Sequence, residues 1–346
     1  MRIAASPLRL AGSEKCPVTR RDFAISVLGA AAVAWRHGAH AQTKVPRLCF
    51  LTFDPGTAQS PTTRFKAFFE RLRELGYVHG QTLAINYIAA EGRTDQYPQL
   101  AAECLEHNPD IIAVTTTPGA RALKRATQTI PIVMVALGDP VGTGLVDNLA
   151  KPGGNITGMS QMTSALAAKR LQLLKEAVPG VSRVLVLAYL VDPISPLQVQ
   201  ALREAAPSLG IALQIQDIRS ADELPAAFEA GIKEGAQALT TTAESIFRAE
   251  RARVTELAAS HRLPAIYPYA AFALDSGGLM AYEVIDSDIH RSAADYVDMI
   301  LKGAKPADLP VQQPVHLRIV VNLKTADALG ITIPATFIAR ADEVIE

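Results

Sequence analysis

Three apolar runs in this chain are each followed by a Ser or Thr that directly precedes proline: Ser60-Pro61, Thr117-Pro118 and Ser195-Pro196. Proline suits the first turn of a helix, where its missing N–H has no partner to lose, and a preceding Ser or Thr can turn its oxygen toward the free N–H groups. A helix start of this kind also offers N–H donors and a positive dipole end to an anion. Ser60, Thr116, Thr117 and Ser195 are therefore candidates for holding a carboxylate or similar polar group, with plain helix capping as the alternative. Three acids follow apolar runs: Asp139 in Gly138-Asp139-Pro140, Asp192 before Pro193, and Glu244 after Thr240-Thr241-Thr242-Ala243. Asp139 and Asp192 could each accept from a ligand ammonium or cap a following helix, and Glu244 could face a cleft or sit in a solvated loop. Phe53, Tyr267 and Tyr282 could stack on a ligand or pack in the core.

Covalent and metal chemistry have no comparable signature. No Gly-x-Ser-x-Gly, Gly-x-x-x-x-Gly-Lys-Ser/Thr or Gly-x-Gly-x-x-Gly motif is present, and Gly142-Thr143-Gly144 lacks the third glycine of a dinucleotide fingerprint. The seven histidines are scattered, His37 and His40 apart, and none pairs with a cysteine at metal-ligand spacing. Of the three cysteines, Cys16 lies near the N-terminus, while Cys49 and Cys104 fall in apolar patterns. These two are expected as buried small hydrophobes, a disulfide being the alternative. The expectation is a protein without catalytic residues, metal or cofactor.

The elements that must position these residues alternate. Short aliphatic runs at Arg47–Phe53, Leu83–Ala89, Asp110–Thr116 and Ile130–Leu137 read as buried parallel strands, separated by helical patterns at Pro61–Leu75, Gln96–Glu106 and Pro118–Thr127. A second series follows: strands at Arg183–Leu190, Ile211–Ile218, Ala236–Thr242 and Pro264–Tyr267, and helices at Pro196–Leu209, Ala221–Lys233, Ile246–His261 and Ile289–Leu301. Ser220 and Glu223 read as a capping box. Two βα series predict an α/β protein of two Rossmann-like lobes, each a parallel sheet covered by helices. Three irregular junctions, Lys151–Gly158, Asp275–Gly278 and Lys305–Pro314, are expected to form a three-segment hinge. Ligands of open parallel sheets bind beyond the carboxyl ends of the strands, where the candidate residues fall.

A chain of 346 residues, 49% hydrophobic, fits two domains of ordinary size. Residues 19–41 combine Arg20-Arg21-Asp22-Phe23, an apolar stretch Ala24–Trp35 and Ala39-His40-Ala41, the pattern of an export signal of twin-arginine type cleaved before Gln42. Without residues 1–41 the remainder holds 28 basic and 32 acidic residues, a net charge of −4, which gives no footprint for nucleic acid. The expected division is a signal at 1–41, one lobe from 45–158 with 284–311, and a second from 159–283 with 312–346.

Ordered strings along the chain carry a family resemblance: Leu75-Gly76-Tyr77-Val78-His79-Gly80-Gln81, Gly138-Asp139-Pro140-Val141, Lys151-Pro152-Gly153-Gly154-Asn155-Ile156-Thr157-Gly158, Ala168-Lys169-Arg170-Leu171, Gly278-Leu279-Met280-Ala281-Tyr282 and Asn322-Leu323-Lys324-Thr325-Ala326. In these the sequence resembles the ABC transporter substrate-binding proteins related to the tryptophan-binding TrpX group. The resemblance implies a type I periplasmic-binding fold, capture of an amino-acid-like or other small polar solute between the lobes, and delivery to a permease and its ATPase in the inner membrane. It places Thr116, Thr117 and Asp139 at the ligand. Relatives often carry Asn-Pro where this chain has Asp192-Pro193, which changes the charge of the cleft. A monomeric periplasmic receptor is thus expected. A ligand sensor for a membrane signalling protein and an exported α/β hydrolase are the alternatives.

Overall fold

The computed structural model describes residues 44–346, so the expected export signal at 1–41, with Cys16, His37 and His40, lies outside the described residues. Strand β1 (Arg47–Thr52) is buried from Leu48 onward. Its alternate side chains enter two different cores: Leu48 and Phe50 join one, Cys49 and Leu51 the other. A strand covered on both faces has no polar side, hence the unbroken apolar run in the sequence. With β2 (Ala84–Ala89), β3 (Ile111–Val114), β4 (Ile132–Leu137) and β5 (Ile156–Ser160) it forms a parallel sheet of order β2-β1-β3-β4-β5. Helix α1 (Lys66–Glu74) packs Phe68, Phe69 and Leu72 on the Phe50 face, and α2 (Tyr97–Glu106) and α3 (Thr117–Ala126) cover the other.

Cys49 and Cys104 form a disulfide, with Cα atoms 6.0 Å apart, which corrects the expectation of two free thiols. The inward face of β1 meets the inward face of α2 there, a juxtaposition that residues 55 apart in sequence do not reveal.

The second lobe runs α4 (Thr163–Ala177), β6 (Arg183–Ala188), α5 (Ser195–Ala205), β7 (Ala212–Asp217), α6 (Leu224–Lys233), β8 (Ala238–Thr241), α7 (Ser245–Ala249), α8 (Arg251–Ser260), β9 (Ala265–Tyr267), α9 (Ala271–Leu274) and β10 (Met280–Val284). Helix α10 (Asp286–Leu301) returns to the first lobe, packing Ile289, Ala293 and Val297 with α1 against the first sheet. Strand β11 (Leu317–Asn322), helices α11 (Leu323–Leu329) and α12 (Ala335–Ile338), and β12 (Glu343–Ile345) complete the second lobe. Its sheet has the order β12-β11-β10-β9-β8-β6-β7, with β11 antiparallel to β10.

Several local expectations are corrected. The helix expected over Ile246–His261 is two helices, α7 and α8, parted at Glu250. Ser220 makes no side-chain capping bond, although Glu223 Oε2 does accept from the Arg219 amide at 2.7 Å. The Gly-rich stretch Lys151–Gly158 is not a crossing. Its second half enters β5, where a Cβ on Gly158 would lie 2.3 Å from the Met134 carbonyl oxygen, so glycine serves close strand approach. Asp275–Gly278 lies within the second lobe, between α9 and β10. The chain passes between lobes after Ser160, after Val284 and after Gln312, which pairs with β5 through Ser160 N to Gln312 O (2.8 Å) and Gln312 N to Gly158 O (2.9 Å). The Ile285 amide donates to the His316 carbonyl at 3.3 Å, tying two of these crossings together.

Candidate functional site

The carboxyl ends of both sheets turn toward one narrow cleft. From the first lobe, β1 delivers Phe53, and β3 runs into Thr115-Thr116-Thr117. The Thr116 hydroxyl accepts from the Gly119 amide at 3.3 Å, so Thr116, rather than Thr117, is the cap of α3. Tyr97, the first residue of α2, lines the same wall.

From the second lobe, Tyr189 and Asp192 follow β6, and Glu244 follows β8. Asp192 Oδ1 accepts from the Ile194 amide at 3.1 Å. Glu244 is held from behind: Gln198 Nε2 donates to Oε1 at 2.8 Å, Gln198 Oε1 accepts from the Ala243 amide at 2.9 Å, and the Thr242 hydroxyl donates to Oε2. Ser195 Oγ donates to Thr242 Oγ1 at 3.3 Å. Thr94, just before α2 in the first lobe, brings its Oγ1 to 2.6 Å from the Tyr189 hydroxyl, a hydrogen bond that bridges the two lobes.

Two small spaces make up the cleft. One of about 10 Å³ is bounded by Phe53, Tyr97, Thr116, Tyr189, Asp192 and Glu244. The other, of about 30 Å³, adds Thr117, Gly138, Gln161, Thr163, Tyr269 and the guanidinium-bearing Arg64, which also pairs with Asp54. Such volumes hold a water or so each, too little for a larger molecule with the lobes in this arrangement. A wider groove of about 780 Å³ opens beside the hinge, but its charges satisfy one another: Arg64 with Asp54 at 3.2 Å, Arg248 with Asp286 at 2.7 Å, and Arg318 with Glu283 at 2.7 Å. The narrow cleft, at the strand ends, is the better candidate despite its size.

Its electrostatics are unusual. Burial pushes Asp192 up to about 7, against the pull of the Ile194 amide and Arg121. Burial, and then the nearby Asp192, push Glu244 well above the usual carboxylate range. Two buried acids that resist ionisation favour a cationic partner, which would let them give up their protons.

Of the residues expected from sequence, Phe53, Thr116, Thr117, Asp192 and Glu244 meet at this cleft. Five do not line its two spaces, among them Tyr282, which packs half-buried against the cores of both lobes. Ser60 is exposed on the β1–α1 loop, where its amide donates to Thr57 Oγ1 at 3.0 Å, and it caps no helix. Asp139 Oδ1 accepts from the Gly142 amide at 3.0 Å and closes a turn; no helix follows for it to cap. Ser195 is fully buried behind the wall, supporting Thr242. Tyr267 is a core residue whose ring stacks on Phe272 at 4.3 Å. Sequence reasoning missed Thr94, Tyr97, Tyr189, Gln161 and Tyr269. Tyr189 was within reach, since it follows its strand as Phe53 follows β1.

Among the described residues no cluster of His, Cys, Asp and Glu suits a metal ion, and no helix is long and apolar enough to cross a membrane.

Comparison with known proteins adds relatives of the same architecture. A tyrosine-binding protein of Clostridioides difficile (strain R20291) is 26% identical over 264 residues, 76% of this chain and 75% of the relative. The solved ABC domain from Streptococcus pneumonia in complex with L-Trp is 27% identical, with a TM-score of 0.79 over 87% of this chain and 99% of that one. A conserved domain protein from Vibrio cholerae is 28% identical, with a TM-score of 0.81 over 87% of this chain and 100% of that one. The two α/β lobes are thus those of the type I periplasmic-binding fold. The model of the ABC transporter substrate binding proteins matches residues 59–345, and the chain belongs to that family.

Proposed function

We propose that this protein is an exported receptor that closes its lobes on one small, amino-acid-like solute and presents the closed form to an ABC importer. The observation that carries this reading is the pairing across the cleft of Asp192 and Glu244 in the second lobe with Thr116 and Thr117 in the first. An ammonium group set between the two acids would let them ionise, and the hydroxyls opposite would meet polar atoms of the same molecule. Phe53, Tyr97 and Tyr189 supply flat apolar surface beside them. The tyrosine-binding relative and the tryptophan complex support an aromatic amino acid as the first solute to try.

Closure is the signal. A solute that touches both walls stabilises the closed state, and the permease with its ATPase reads that state. The protein acts as a monomer in the periplasm, after export on the twin-arginine signal, and returns its solute unchanged.

Native mass spectrometry of protein purified from its own cells, followed by calorimetry with amino acids, tests this reading. The expected result is one solute per chain, released intact. Chemical turnover of the solute, or the absence of any bound or binding small molecule, would overturn it.

A further inference from the structure

Arg170, on α4, is only 2% exposed. Its Nη1 donates to the Tyr282 carbonyl at 3.3 Å, and Nε and Nη2 have no hydrogen-bond partner among the described residues. Nε and Nη2 form one edge of the guanidinium, the edge that binds both oxygens of a carboxylate in parallel. Burial lowers the Arg170 pKa, while Tyr269, Glu244 and Tyr282 raise it, and the balance of about 10 keeps the group charged at neutral pH. An unpaired buried charge is costly, and a Leu or Met would fill the same volume without that cost.

Arg170 borders a space of about 10 Å³ against the hinge, together with Gln161, Thr163 and Tyr269. Those three residues also line the space that holds Asp192 and Glu244. Thr163 Oγ1 is a second buried polar atom without a partner among the described residues. Two carboxylates border the Arg170 space, and both are engaged elsewhere: Glu283 with Arg318 and Asp286 with Arg248, each at 2.7 Å.

We propose that Arg170 is an anion receptor at the hinge end of the cleft, in the adjoining space that shares Gln161, Thr163 and Tyr269 with it, its Nε/Nη2 edge taking a carboxylate of the solute and the unpartnered Thr163 hydroxyl lining the same space. This rests on the receptor reading above and narrows its substrate class. The solute carries a carboxylate at its hinge-facing end and a cation facing Asp192 and Glu244. Polyols and simple amines are excluded.

The test compares the wild type with R170Q and R170K. Each is titrated with L-tyrosine, L-tryptophan, L-glutamate and the matched amines tyramine and tryptamine, and the Tm of each unliganded protein is recorded. The wild type is expected to bind at least one of these amino acids at least 100-fold more tightly than the amines. R170Q loses that preference while its unliganded Tm is unchanged or higher, because an unpaired buried charge is gone; R170K retains the charge but loses the fork and falls between. Equal affinity of the wild type for amines, or an R170Q that keeps full affinity with a lowered Tm, overturns the subsite and leaves the receptor reading standing. Should none of the probes bind, wild-type crystals grown in sodium bromide decide the subsite separately. An anomalous peak on the Nε/Nη2 edge supports it, and an edge covered by water or by a protein carboxylate overturns it.

Discussion

Gly138, just past β4 in the first lobe, lies so close to Ile194, just before α5 in the second, that a Cβ on Gly138 would stand 2.4 Å from Ile194 Cγ1. The same Cβ would be 2.8 Å from Thr163 Oγ1. Glycine here permits the lobes to meet. Gly138→Ala should therefore hold them apart, weakening solute binding by about 10–100-fold. The unliganded Tm should change little, since opening relieves the clash. Calorimetry gives the affinity, and small-angle scattering shows whether the liganded variant keeps the larger radius of the open form.

Thr94 and Tyr189 share a hydrogen bond of 2.6 Å from lobe to lobe. Tyr189→Phe removes that bond and leaves the ring. A neutral hydrogen bond contributes about 1 kcal/mol net, so the solute should dissociate about 5-fold faster, with a smaller change in association. Stopped-flow measurement of both rates checks this.

Asp192 makes stability depend on pH in a definite direction. Its carboxyl is raised from 3.8 to about 7 in the folded chain, so the folded state holds that proton more tightly than the unfolded state does. Its contribution is full below the unfolded value and is lost as pH rises through the folded one. Glu244 acts in the same sense. His290, lowered by burial to about 4, acts in the opposite one. The comparison is therefore with Asp192→Asn: between pH 4 and about 7 the unliganded wild type should lose up to ~4 kcal/mol relative to the variant. Chemical denaturation across that range measures it. Binding near pH 6 of a solute whose ammonium group faces these acids should also release protons, which calorimetry in buffers of different ionisation enthalpy detects.

The Cys49–Cys104 bond closes a loop between residues 55 apart. Loop-closure entropy for that length gives about 4 kcal/mol. Reduction, or the double substitution to serine, should lower the Tm of the first lobe by several degrees. Scanning calorimetry with and without reductant is the measurement.

The sequence by itself determined the architecture. Aliphatic runs spaced by helical patterns require buried parallel strands, because β1 and β6 have no polar face to show water. It also pointed to the carboxyl ends of the strands, and Phe53, Thr116, Thr117, Asp192 and Glu244 line one cleft there. Residue type and spacing could not separate a hydroxyl that faces the cleft from one behind its wall, so Ser195 and Tyr267 read like Thr116 and Phe53 until packing assigned their sides. Only the tertiary structure decided contacts between distant segments: the disulfide, the Gly138–Ile194 approach, and the buried edge of Arg170. Each depends on how two separately folded surfaces meet, and local sequence carries no record of the opposite surface.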